Sequence, residues 1–186
     1  MKRLLDLLLG MHLVLLFAMP MVVISALVRL TSPGPVLYWS DRVGRGNRVF
    51  RMPKFRSMRP DTPYVATHLL TNSAAFLTPI GAFLRKTSLD ELPQLWRILK
   101  GDMSFVGPRP ALVNQTDLIT LRTGHGVHEL LPGLTGWAQV KGRDELHIPE
   151  KVKFDLEYLQ RQSLVFDLLI IWLTLAKVIR RDGISH

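Results

Sequence analysis

Two adjacent carboxylates, Asp90 and Glu91, stand in the run Ser88-Leu-Asp-Glu91, and downstream of them an arginine sits between two prolines, Pro108-Arg109-Pro110. Consecutive residues of a helix point roughly 100° apart, so these acids cannot face each other across a substrate as the paired carboxylates of glycoside hydrolysis do. They can divide labour instead: one attacks or binds a metal, while the other orients or handles a proton. A helix N-terminus favours a nearby phosphate, because its free N–H groups point outward. Two carboxylates repel such an anion unless a cation intervenes, and Mg2+ bound by carboxylate and phosphate oxygens is the usual remedy. Arg109, its backbone restricted by the flanking prolines, suits two-pronged binding of an anion. A plainer reading stands beside this one. Ser88 to Glu91 also matches the S-x-x-E capping box, and acids in a first turn complement the helix dipole. Arg109 could equally be a surface arginine in a rigid turn.

The elements that must position these residues are partly legible. Val36 to Arg59 reads as a β-hairpin, VLYW and RVFRMPKF joined through Gly44-Arg-Gly-Asn47. From Asp41 to Arg59 it carries seven basic residues against one acid. Either this is a charged hairpin lying on anionic lipid, or Lys54 and Arg56, in KFRSM, bind substrate phosphate. Residues Leu69 to Arg85 suit an amphipathic helix that Pro79 bends or breaks. Leu92 to Lys100 predicts a short helix closed by Gly101, and Val113 to Arg122 predicts another. A short strand is expected around Trp137 to Val140. Glu150 to Gln162 reads as a polar helix with Lys153–Glu157 and Glu157–Arg161 at four-residue spacing.

The chain has 186 residues, a net charge of +9 and 47% apolar residues. That suits one domain with at most a small membrane attachment. Absence of cysteine excludes disulfides, thiolate catalysis and Cys-ligated zinc. The six histidines show no HExxH spacing.

Much of the apolar content lies near the two ends. Leu4 to Leu30 is too long for the apolar region of a signal peptide, and no Ala-x-Ala site follows. It is long enough to span a bilayer, but Pro20 interrupts it. Lys2 and Arg3 precede it and Arg29, Arg42, Arg45 and Arg48 follow, so the positive-inside tendency holds both ends on one side. A re-entrant helix-break-helix hairpin with its break at Pro20 satisfies both features better than a spanning helix. Leu164 to Ile179 is short for a span and contains Asp167 and Lys177. An interfacial helix with Trp172 near the headgroups fits it, and a buried core helix is the alternative.

Four motifs, KFRSM (Lys54 to Met58), TSLDELPQLW (Thr87 to Trp96), LKGDMSFVGPRP (Leu99 to Pro110) and PGLTGWAQVKGR (Pro132 to Arg143), closely resemble the bacterial sugar transferases called monotopic phosphoglycosyl transferases. The resemblance runs nearly end to end and in order. It implies transfer of a sugar 1-phosphate from a UDP-sugar to polyprenyl (undecaprenyl) phosphate, with release of UMP, at the cytoplasmic face of the bacterial inner membrane. Asp90 falls on the family's nucleophile, which forms an acyl-phosphate and predicts ping-pong kinetics. Glu91 becomes the assistant in metal or proton handling, with Mg2+ as the ion and both acids as its ligands. Pro108, Arg109, Pro110, Lys54, Arg56 and Arg143 fall on substrate-binding positions. The family's membrane hairpin breaks at Ser-Pro, and here the pair is Met19-Pro20. The chain resembles the short, catalytic-core members, some of which use N-acetylated amino sugars.

The expected fold is therefore α+β and mostly helical. It combines a re-entrant membrane segment over residues 1–30 with a catalytic domain over 31–186. That domain contains a short β-hairpin and interfacial helices near 69–85 and 164–179. A catalytically inactive membrane-surface scaffold is the competing reading. A nucleic-acid binder would place its charge on a recognition helix or aromatic platform, whereas this charge lies in a hairpin beside an apolar segment.

Overall fold

The computed structural model describes residues 1–63, 73–142 and 146–180, and of 179 and 180 the backbone alone. It is a mostly helical α+β fold. Helix α1 covers Lys2–Thr31. Strands β1 (Leu37–Val43) and β2 (Val49–Phe55) form the expected antiparallel hairpin, in register from Leu37 opposite Phe55 to Val43 opposite Val49. Gly46 (φ 62) and Asn47 (φ 59) supply the left-handed backbone its turn requires. Short helix α2 (Gly81–Lys86) leads through a 3-10 segment, Leu89–Gln94, into α3 (Leu95–Lys100). Strands β3 (Ser104–Val106) and β4 (Ala111–Leu112) bracket the Pro-Arg-Pro turn. Then come α4 (Thr116–Gly124), β5 (Gly133–Thr135), α5 (Trp137–Lys141), α6 (Ile148–Arg161) and α7 (Leu164–Arg180). One sheet has the order β2-β1-β4; β3 and β5 pair in parallel as a second.

Three expectations are corrected. The sequence suggests a break at Pro20, but α1 runs through that proline without interruption. Proline costs one backbone hydrogen bond and crowds the preceding turn, and a strongly helical flank on each side carries the element across. The helix expected over 69–85 begins in residues that lie outside the described ones. Its remainder is a 3-10 turn (Ser73–Phe76), a bridge between Met58 and Leu77, and α2. Thr78 donates its N–H to Ser57 O ahead of Pro79, so the chain there is tied sideways and not helically. Trp137 to Val140 is helical, and the strand lies earlier, at β5, with Gly136 extended between them.

The main core gathers Met52, Leu95, Ile98, Met103, Phe105, Tyr158, Phe166 and Ile170, with Leu9, Leu13 and Val14 of α1 packed against it. A second cluster joins Ile24 and Val28 of α1 to Phe55 and Leu84. Both halves of α1 therefore pack on the same body. Its N-terminal end is also hydrogen bonded there. Arg3 donates to Ile98 O (2.5 Å) and Leu99 O (2.7 Å), capping the C-terminal end of α3. Lys2 donates to Val106 O and Asp167, and Asp6 accepts from Ser104 Oγ and Phe105 N. The opposite face of α1, through Leu4, Leu8, Met11, Leu15, Met19, Val22, Leu27 and Leu30, is apolar and exposed. α7 is divided the same way: Phe166, Asp167 and Ile170 are buried, while Val165, Leu168, Trp172 and Leu175 are exposed.

Candidate active site

The carboxylates sit where the chain turns sharply. Ser88 adopts a left-handed backbone (φ 57), swinging the polypeptide out of α2 and into the 3-10 segment that carries Asp90 and Glu91. Pro93, lacking an N–H, lies inside that segment before α3 begins. The capping box does not form. Ser88 makes no side-chain cap hydrogen bond, and the Glu91 carboxylate is directed across to another element.

That element is β2. Lys54 donates to Glu91 Oε1 at 2.7 Å, and its ammonium lies 3.9 Å from Asp90 Oδ2. Arg109 reaches the same Glu91 oxygen at 3.0 Å. One carboxylate oxygen thus holds two cations from two separate elements, in a place where the Lys54 and Glu91 side chains are less than one-fifth exposed. Burial alone would push the Glu91 carboxyl up, but Lys54 and Arg109 together hold it well below the usual range. Asp90 behaves oppositely. Burial pushes its carboxyl above the ordinary value and Glu91 adds to this, against the opposing charges of Lys54, Arg85 and Arg109. Its nearest cation is that distant Lys54 ammonium. The two neighbours are chemically distinct: Glu91 is a fixed anion that orients cations, and Asp90 is a buried carboxylate with oxygens to offer.

The Pro-Arg-Pro turn is held by its own carbonyls. Pro108 O accepts from Gly133 N (2.9 Å), Arg109 O from Arg122 Nη1 (2.8 Å) and Pro110 O from Arg42 Nη1 (3.2 Å). The backbone approaches so closely here that a Cβ on Gly107 would strike Leu131 O. A Cβ on Gly133 would strike Gly107 N, and one on Gly136 would strike Gly107 O. The glycines of the FVGPRP and PGLTGW motifs are thus requirements of one another.

The structure brings Lys54, Asp90, Glu91 and Arg109 together, with Pro108 and Pro110 framing the arginine. It places Arg56 elsewhere: buried, with Nη2 donating to Ser32 O (2.8 Å) and Ser32 Oγ (2.6 Å) at the end of α1. Arg143 lies outside the described residues. Sequence reasoning missed Arg42, Arg85 and Arg122, because nothing in their local pattern marks them. Arg85, on α2, acts electrostatically on Asp90, and its Nη1 is directed at Met58 Sδ at 3.4 Å.

Among the described residues no group of three or more His, Cys, Asp or Glu gathers that could hold a metal unaided. A protein share of two carboxylates, completed by substrate phosphate, is the pattern of Mg2+ at phosphate-transfer sites, and Asp90 with Glu91 fits it.

The chain is 41% identical over 184 residues to a UDP-glucose:undecaprenyl-phosphate glucose-1-phosphate transferase of Escherichia coli, an alignment covering 95% of this chain and 39% of that protein. It is 36% identical to a UDP-N-acetylgalactosamine-undecaprenyl-phosphate N-acetylgalactosaminephosphotransferase of Aeromonas hydrophila, over 98% of this chain and 44% of that protein. It therefore spans about two-fifths of the length of these two relatives. An uncharacterized sugar transferase of Bacillus subtilis is 38% identical over all of this chain and 90% of its own length. With the family described as bacterial sugar transferase matching residues 1–181, the chain belongs to that family.

Proposed function

We propose that the protein is a membrane-bound phosphoglycosyl transferase that moves a sugar 1-phosphate from a UDP-sugar to polyprenyl (undecaprenyl) phosphate. The observation that carries this is the unequal treatment of the two acids: Glu91 is pinned by Lys54 and Arg109, while Asp90 is buried beside three cationic side chains with its nearest ammonium 3.9 Å away. That is an arrangement for attack on an anionic phosphorus by one carboxylate, with the other setting the cations.

In this reading an Asp90 oxygen attacks the β-phosphorus of the UDP-sugar. The bond from that phosphorus to the bridging oxygen breaks, and UMP leaves. The polyprenyl phosphate oxygen then attacks the same phosphorus, breaks its bond to Asp90 and carries away the sugar phosphate as a polyprenyl-diphospho-sugar. Lys54, Arg85 and Arg109 offset the charge of the diphosphate. Mg2+ held by Asp90 and Glu91 would supply further neutralisation of phosphate charge.

The membrane arrangement rests on α1. Both of its halves pack on the catalytic body while an apolar stripe faces outward along its length. In the proposed arrangement both ends of α1 lie at the cytoplasmic face of the inner membrane, and its outer stripe and that of α7 lie in the lipid. Relatives named for glucose, galactose and N-acetylgalactosamine leave an N-acetylated amino sugar among the candidate donors.

The test is to supply detergent-solubilised protein with a panel of UDP-sugars, undecaprenyl phosphate and Mg2+. UMP is released with at least one sugar, and chelation by EDTA suppresses it. Without acceptor, intact mass spectrometry detects a sugar-phosphate adduct that Asp90→Asn lacks. Silence across the panel favours the inactive scaffold, and an adduct persisting in Asp90→Asn moves the nucleophile to another residue.

A further inference from the structure

Arg122, in the last turn of α4, is 7% exposed, and all three of its guanidinium nitrogens are engaged. Nε and Nη2 donate to Asp155 Oδ2 at 2.9 and 2.6 Å, and Nη1 donates to the Arg109 carbonyl at 2.8 Å. Asp155 lies on α6 and is 2% exposed. The rigid guanidinium fork therefore couples α4, α6 and the centre of the Pro-Arg-Pro turn in one fixed geometry. On the far side of the same residue, Arg109 Nη2 meets Glu91 at 3.0 Å. A pocket of about 30 Å³, roughly the space of one water, adjoins the turn and is lined in part by Pro108, Arg109, Arg122 and His128. A buried ion pair contributes little stability that a well-packed apolar pair would not, so its distinct contribution here is orientation.

We infer that Arg122, backed by Asp155, is a positioning residue that fixes the Pro-Arg-Pro turn so that Arg109 meets Glu91 and the donor's diphosphate. The consequence for substrate rests on the transferase reading above; the positioning itself does not. Residues Arg122 and Asp155 touch neither reacting carboxylate. They act through the backbone of Arg109.

Two variants test it. Arg122→Lys keeps a positive charge against Asp155 but replaces the planar three-nitrogen fork with a single shorter-reaching ammonium, so the paired geometry towards Asp155 Oδ2 and the Arg109 carbonyl is lost. Arg122→Met combined with Asp155→Leu removes the fork without leaving an orphan buried carboxylate. Hydrogen–deuterium exchange is read at residues 107–112, and initial rates are measured against both substrates. In both variants exchange at 107–112 rises about tenfold while the β1–β2 hairpin is unchanged. The KM for UDP-sugar rises about tenfold (about 1.4 kcal/mol), while that for polyprenyl phosphate stays within about twofold. Unchanged exchange at 107–112 in the double variant overturns the inference. So does a general rise in exchange across the protein with both KM values moving together, which would mark a merely structural pair. If the wild type releases no UMP, the transferase reading fails, and the exchange measurement still decides whether Arg122 holds the turn.

Discussion

Replacing Lys54 with methionine keeps the stem and deletes the ammonium, and the structure fixes the consequences. Glu91 loses its shorter partner (2.7 Å) and keeps only Arg109 at 3.0 Å, and Asp90 loses its nearest cation. Breaking a fully buried pair by removing one partner costs about 3–5 kcal/mol, and an exposed pair is worth about 1 or less. With both side chains roughly one-sixth exposed and a second cation remaining, about 2–3 kcal/mol is expected. For a chain of this size that lowers Tm by about 5–10 °C. The loss carries a pH signature. Glu91 is depressed below its ordinary value of 4.5, so in the wild type it contributes stability above that pH. Lys54→Met gives up part of this contribution. The unfolded chains titrate alike, so the gap is full at pH 7 and narrows as acid protonates Glu91 in the folded variant, where Arg109 alone holds the carboxyl down less than Lys54 and Arg109 do together. Tryptophan-fluorescence melting in detergent from pH 8 down to about pH 2 measures it. A gap under about 1 °C at pH 7, or one that does not narrow on acidification, would refute the reasoning. Adding Asp90→Asn to Lys54→Met should restore part of the lost Tm, since the remaining acids repel.

Asp90→Asn alone abolishes UMP release yet raises Tm at neutral pH. The folded-state value of Asp90 is raised above its ordinary 3.8, so its ionised form weakens the fold fully above the raised value; the gain shrinks as pH falls below that value and is gone below the ordinary one, and a lowered Tm at pH 7 would contradict the burial argument. Gly107→Ala drives a Cβ into Leu131 O and lowers Tm by more than about 5 °C, and a fully stable, active Gly107→Ala protein would show that the backbone there can yield. Single cysteines in this cysteine-free chain, one added ahead of Met1 and one at Asp41, label from the same side of sealed vesicles; opposite-side labelling would restore a spanning α1.

The hairpin, the polar helix α6 and the short helix closed by Gly101 were legible because each rests on local chemistry: alternation, four-residue charge spacing, and a left-handed cap. The nearness of Lys54 to Asp90 and Glu91 was not. It depends on the 3-10 segment packing across β2, and no period in the sequence encodes that contact. Lys54 and Arg56 look equivalent in KFRSM, yet the strand ends at Phe55, and past it Arg56 turns to the end of α1. The capping box misled for a similar reason. Its spacing was satisfied, but a lysine and an arginine from elsewhere compete for Glu91 more strongly than a backbone N–H does. The strand expected around Trp137 to Val140 lies upstream at β5, and Gly136, extended, separates it from the helix that Trp137 begins.

Lys2 and Arg3 belong to the class of charge that decides which way a nascent apolar segment enters a bilayer. In the folded protein the same two side chains close on Ile98, Leu99, Val106 and Asp167. In the proposed membrane arrangement orientation is thus written twice, first as a preference during insertion and again as native contacts. The second record acts as a latch, because the same two side chains that favour one side of the bilayer also tie the start of α1 to α3, β3 and α7.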